Sequence, residues 1–136
     1  MSPEMQQQAA ESRIRTVLVA EDNFDTRWLT AEFLRMSGYR VVEAMNSTEA
    51  IAVLCSGTSV DLVFSDVYMP GGFDGFALAQ WIAKQRPQVS VLITSGAPAE
   101  ATRAARQGLE FFEKPYDLPL LLRRIESMLK TQLRLP

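Results

Sequence analysis

The sequence contains no histidine. That removes an imidazole base, a histidine metal ligand and a phosphohistidine from the chemistry this chain can perform by itself. Cysteine is almost absent as well. Cys55 stands alone, so an internal disulfide and a cysteine-rich zinc site are both excluded. No apolar run approaches the about 18 residues that would span a bilayer. Neither charge is in excess: 14 Lys+Arg face 16 Asp+Glu, for a net charge of −2. A polycation built for nucleic acid or for an anionic membrane surface is thereby excluded. The polar start, with Gln6-Gln7-Gln8, has no apolar core of a secretory signal, so the expected compartment is the cytoplasm.

What is present is ordinary for a soluble globular protein, with 47% hydrophobic and 22% charged residues. The length of 136 residues suits one domain able to bury a core without staples. Residues 1–13 are polar and aperiodic and read as a mobile N-terminal tail. Residues 14–133 read as the domain and 134–136 as a short C-terminal tail.

Two kinds of segment alternate through the domain. Short runs rich in Val, Leu, Ile and Phe occur at Thr16–Ala20, Arg40–Ala44, Asp61–Ser65, Val89–Thr94 and Leu109–Glu113. Longer amphipathic stretches lie between and after them. In the last, Leu118, Leu121, Leu122, Ile125, Met128 and Leu129 recur at helical spacing. Phe76, Ala79 and Ile82 or Ala83 repeat the pattern, as do Ala50, Val53 and Leu54, and Trp28, Ala31 and Leu34. Gly38, Gly57 and Gly108 follow three of these stretches where a left-handed residue ends a helix. Pro87 closes another, and Asp117 precedes the last as an N-cap. Five strands and five helices in strict alternation, with strands apolar on both faces, predict an α/β fold: a doubly wound five-stranded parallel sheet covered on both sides. Sites in such folds lie beyond the carboxyl ends of the strands.

Those ends carry the polar residues. Glu21 and Asp22 follow the first strand and Asp66 the third. Thr94, Ser95 and Gly96 follow the fourth; Lys114 and Pro115 follow the fifth. The second strand contributes nothing, which suits an edge. Three carboxylates together repel one another unless a cation is present. With histidine absent and cysteine unpaired, the ligands are oxygens, and these select a hard cation, most simply Mg²⁺. A lysine and a hydroxyl beside them are donors for phosphate oxygens. Carboxylate, Mg²⁺, lysine and serine together suit phosphoryl transfer to an aspartate. Taken singly, each residue has a plainer reading. Glu21-Asp22 could favour the start of a helix. Asp66 and Ser95-Gly96 could be turn residues. Lys114 could be a surface lysine, and Phe111 a core aromatic. Asp74 reads as a helix cap rather than a ligand, Cys55 as a small semi-buried hydrophobe, and Arg123-Arg124 as a solvated face.

The ordered set resembles a response-regulator receiver domain of two-component signalling over residues 15–131. The likeness rests on Val17-Leu18-Val19-Ala20-Glu21-Asp22-Asn23, on Asp61-Leu62-Val63-Phe64-Ser65-Asp66-Val67-Tyr68-Met69-Pro70 with Asp74-Gly75, on Val91-Leu92-Ile93-Thr94-Ser95-Gly96, and on Phe111-Phe112-Glu113-Lys114-Pro115-Tyr116. It implies a flavodoxin-like sheet of order 2-1-3-4-5. It implies Asp66 as phosphoacceptor, Asp22 as direct Mg²⁺ ligand with Asp66, Glu21 acting through water, and the backbone carbonyl of Tyr68 as a further ligand. Ser95 matches the switch hydroxyl, with Thr94 the alternative. Lys114 matches the lysine that pairs with phosphate, its bond to Pro115 being cis, and Phe111 the aromatic switch position. Gly71-Gly72-Phe73 between Pro70 and Asp74 is one residue longer than the commonest form and resembles receivers of hybrid histidine kinases. Ala97 offers no polar group to steer water.

The resemblance implies a single-domain switch, not a dedicated enzyme, that promotes its own phosphorylation and dephosphorylation. Its phosphoryl group would come from a histidine kinase or a histidine phosphotransfer protein. With no helix-turn-helix following, the expected output is contact with a downstream protein target, or else the sequence is an excised piece of something larger; neither nucleic acid nor membrane is expected, and a homodimer is compatible with it. Two alternatives are a receiver-like interaction module independent of phosphorylation and a Mg²⁺-dependent phosphohydrolase with an Asp nucleophile. The second is disfavoured by Tyr68, which stands where such enzymes carry a second Asp.

Overall fold

Val17, Leu18 and Val19 are buried on both sides of the strand they form, as the unbroken apolar run requires. The structure is a computed structural model that describes residues 2–4 and 13–134. Its elements are β1 (Thr16–Ala20), α1 (Phe24–Met36), β2 (Arg40–Ala44), α2 (Ser47–Cys55), β3 (Leu62–Asp66), α3 (Gly75–Gln85), β4 (Ser90–Ser95), α4 (Pro98–Arg106), β5 (Glu110–Glu113) and α5 (Leu118–Arg134). The strands are parallel, in the order β2-β1-β3-β4-β5. This is the expected doubly wound sheet, with β2 at an edge.

Alternation along the strands splits the core. Val17, Val19, Leu62, Phe64 and Leu92 pack with Leu34 of α1 and with Leu121, Ile125 and Leu129 of α5. Leu18, Ala20 and Val63 face Ala50 and Leu54 of α2 and Leu78 and Ile82 of α3. A smaller cluster joins Ile93, Val67, Phe76, Ala79 and Ala104 beneath α4. Helix starts are capped locally. The side chains of Asn23, Asn46 and Asp74 accept from the amides of Thr26, Glu49 and Ala77. The cap reading of Asp74 therefore holds, and Asp117 likewise accepts from Leu120 N at 3.3 Å.

Three strands begin one residue later than the apolar runs suggest. Asp61 takes Thr16 N on its carboxylate at 2.8 Å and ion pairs with Arg13 at 2.6 Å and Arg15 at 3.4 Å. It therefore anchors the foot of the sheet and precedes β3. The amide of Leu109 bonds to Ala104 O and so belongs to the end of α4, not to β5. At the other end Asp66 and Ser95 are the last residues of their strands, because Asp66 pairs with Thr94 and Ser95 with Glu113. The proposed N-terminal tail falls mostly on residues 1 and 5–12, outside the described residues, as do 135–136; Arg13 is held by Asp61, and α5 continues to Arg134.

Two local expectations are corrected. Trp28 does not join Ala31 and Leu34 in the core: it is 49% exposed. Arg27 takes the place toward the sheet, donating to Glu43 at 3.2 Å and to Glu21 O at 2.9 Å. Cys55 is exposed, not semi-buried, in the last turn of α2.

Candidate functional site

β1, β3, β4 and β5 end side by side, and their last residues bring the polar groups together. Glu21 leaves β1 with its amide bonded to Ala44 O at 3.0 Å. Asp66 ends β3, and both side chains are buried, while Asp22 is exposed. Carboxylate oxygens of Glu21, Asp22 and Asp66 lie within 4.8 Å of one another. Lys114 reaches in from beyond β5. Its Nζ donates to Asp66 Oδ2 at 2.9 Å and to Glu21 Oε1 at 3.0 Å. Four of the residues that the sequence singled out at strand ends, Glu21, Asp22, Asp66 and Lys114, are thus one cluster.

Two backbone features aim the lysine. Lys114 N donates to Ser95 O at 3.0 Å, which carries the β4–β5 pairing one step further. The Lys114–Pro115 peptide is cis, as the resemblance implies. Tyr116 then turns its ring inward, edge-on to Phe64 at 5.5 Å between centroids, with its hydroxyl 3.3 Å from Thr30 Oγ1. Tyr116 ends the motif that carries the resemblance, but the motif does not show that its ring packs on Phe64 and its hydroxyl meets Thr30.

Burial and charge oppose each other here. Burial pushes the Glu21 carboxyl up to about 7, aided by Asp22 and Asp66, against the lowering influence of Lys114 and Asn23 N. Burial would lower Lys114, but its bonds to Asp66 and Glu21 outweigh that and hold the ammonium above its ordinary value. Two of the three carboxylates, Asp66 and Glu21, share one ammonium and Asp22 lies beside them, so the cluster retains room for further positive charge. Its all-oxygen chemistry fits a hard divalent cation. Glu21, Asp22 and Asp66 are the side chains that could hold one.

The two neighbouring hydroxyls differ. Thr94 Oγ1 donates to Phe112 O at 2.6 Å and so ties β4 to β5. Ser95 Oγ accepts from Ala97 N at 3.1 Å, leaving its proton uncommitted by that bond. Phe111 is half-buried against the cluster of Ile93, Phe76 and Ala104. Tyr68 is 61% exposed, and its hydroxyl donates to Glu100 in α4.

The loop after Asp66 is built by residues that the motifs did not flag. Ser47, fully buried at the start of α2, donates to Phe73 O at 2.7 Å and accepts from Phe73 N at 3.1 Å. A Cβ on Gly72 would stand 2.6 Å from that hydroxyl. The longer Gly71-Gly72-Phe73 segment is therefore clamped against α2. Gly75 lies against the backbone of β3: a Cβ there would approach Val67 Cα to 3.0 Å and crowd Asp66 O more closely still.

The family model described as the response regulator receiver domain matches residues 17–126. The chain belongs to this family, whose members are phosphoacceptor signalling switches rather than dedicated enzymes and generally bind Mg²⁺ in an acidic pocket. It is 33% identical over 121 residues to the sensor kinase CckA of Brucella abortus, covering 86% of this chain and 13% of the kinase. It is 31% identical to the two-component response regulator ORR6 of Oryza sativa, covering 80% of this chain and 69% of that protein. Among solved structures, the receiver domain of the hybrid histidine kinase CckA superposes with a TM-score of 0.69 at 31% identity, over 88% of this chain and 99% of that one. The expected likeness to receivers of hybrid kinases is thus found. No helix among the described residues is long and apolar enough to cross a membrane.

Proposed function

We propose that this chain accepts a phosphoryl group on Asp66 from a phosphohistidine of a partner kinase or phosphotransfer protein in the cytoplasm. An oxygen of Asp66 forms the new bond to phosphorus, and the bond from phosphorus to the partner's imidazole nitrogen breaks. The departing imidazole keeps that electron pair and takes up a proton. A phosphohistidine donor has to lie outside these 136 residues, which contain no histidine. Asp22 and Asp66, with Glu21 through water and the Tyr68 carbonyl, would hold Mg²⁺. Bound there, the ion neutralises charge on the phosphoryl oxygens. Lys114 would supply positive charge as well, because its ammonium already touches the acceptor carboxylate.

The acyl phosphate then offers oxygens that only the phosphorylated state contains. Ser95 donates to one and Lys114 to another, and Phe111 moves with them. The face made by α4, β5 and α5 changes, and a downstream protein reads the change. Phosphorylation acts by making contacts in one conformation that are missing in the other. The phosphohydrolase reading gains nothing, because Tyr68 brings no carboxylate and its hydroxyl is engaged by Glu100.

The observation that carries this reading is the single ammonium shared by Asp66 and Glu21, with Asp22 beside them. The test is labelling with acetyl phosphate and Mg²⁺, followed by intact mass. Wild-type protein gains one phosphoryl group. Asp66→Asn, still folded by circular dichroism, gains none. Labelling of that variant at the wild-type rate removes Asp66 from the role.

A further inference from the structure

Asp22 is the exposed member of the acidic cluster, whereas Glu21 and Asp66 are buried. Few packing contacts fix an exposed side chain, so the backbone that carries it decides where it can point. That backbone lies just beyond the sheet, because the β1–β2 ladder ends with Ala20 opposite Ala44. Arg27, in the first turn of α1, reaches it and donates from Nη1 to the Glu21 carbonyl at 2.9 Å. That oxygen belongs to the peptide that joins Glu21 to Asp22.

Arg27 is itself aimed from the edge of the sheet. Its Nε donates to Glu43 Oε1 at 3.2 Å, and the pair is largely buried, with side chains 12% and 25% exposed. Exposed ion pairs contribute little. This one turns a rigid, planar donor fork so that a second N–H meets the carbonyl. Glu43 lies in β2, the strand that places no carboxylate in the cluster. We propose that Arg27, braced by Glu43, is a positioning residue: it fixes the peptide between Glu21 and Asp22 and so holds the Asp22 carboxylate within reach of a cation shared with Asp66. The inference rests on reading the cluster as a cation site. Charge and positioning predict opposite signs. As a charge, Arg27 repels a divalent cation, and its removal tightens binding. As a positioning group, it steadies a ligand, and its removal weakens binding.

The experiment is calorimetric titration of the full chain with Mg²⁺, with folding checked by circular dichroism. Arg27→Gln binds Mg²⁺ about tenfold more weakly than wild-type protein. Glu43→Gln, in which the brace loses its charge, binds about threefold more weakly. It adds nothing in the Arg27→Gln background, because Glu43 acts only through Arg27. Glu32→Gln removes a carboxylate that bonds to Arg35 instead and leaves the affinity unchanged. Equal or tighter binding by folded Arg27→Gln overturns the proposal and leaves Arg27 a charge that only supports the fold. If Arg27→Gln does not fold, the other two variants decide: equal affinities in Glu43→Gln and Glu32→Gln overturn the proposal. Losses that add in the double variant overturn the brace. Absence of Mg²⁺ binding by wild-type protein overturns the cation site, and this role with it.

Discussion

Nζ of Lys114 lies 2.9 Å from Oδ2 of Asp66, although 48 residues separate the two in the chain. The contact exists because β4 lies between β3 and β5 and all three end at the same level. The same ammonium reaches Glu21, so it sits on oxygens that a divalent cation would also use.

Lys114 should therefore have two opposite effects. Lys114→Met removes a competing positive charge, and Mg²⁺ should bind about tenfold more tightly by calorimetry. The same change removes a donor to the phosphoryl oxygens, and labelling by acetyl phosphate should slow by about a hundredfold. A parallel loss of both would show that the lysine only holds the pocket in shape.

The two hydroxyls of β4 should separate cleanly. Thr94→Val loses the bond to Phe112 O and should cost about 1 kcal/mol in urea denaturation, with labelling unchanged. Ser95→Ala should still be labelled on Asp66. It should lose the change in amide exchange that labelling produces across α4, β5 and α5.

Asp61 should govern acid stability from the far end of the sheet. Burial raises its carboxyl, but the Arg13 bond, Thr16 N and the charges of Arg13 and Arg15 prevail and hold it below its ordinary 3.8. The stabilisation is present above that ordinary value and disappears as pH falls through the depressed folded value. Asp61→Asn should cost about 2 kcal/mol at neutral pH. The difference from wild-type protein in urea midpoint should shrink only below the ordinary carboxyl range.

Gly75→Ala should disturb the acceptor strand without touching a charge. The new Cβ would crowd Asp66 O and Val67 Cα, both backbone atoms that cannot swing aside. A loss of about 1–3 kcal/mol is expected, together with slower labelling of Asp66.

Much of this was legible before any coordinates. Apolar runs that end in Glu21-Asp22, Asp66, Ser95 and Lys114 place those residues at one edge of a parallel sheet, because every strand of such a sheet points the same way. Side chains whose partners are remote in sequence were not legible. Ser47 looks like any helix-starting serine, yet it clamps Phe73. Arg27 looks like a solvated charge, yet it covers the sheet and displaces Trp28 outward. Asp61 looks like the first residue of a strand, yet it gathers Arg13, Arg15 and Thr16. Periodicity reports which face is apolar; it does not report which polar group reaches across to satisfy another.

The most direct test is to locate the acyl phosphate itself. Protein treated with acetyl phosphate and Mg²⁺ is reduced with borohydride, which converts a phosphorylated aspartate to homoserine, and its peptides are sequenced by mass spectrometry. The expected result is conversion at Asp66 alone. Conversion at Glu21 or Asp22, or none in protein shown to bind Mg²⁺, would contradict the assignment of Asp66 as the acceptor.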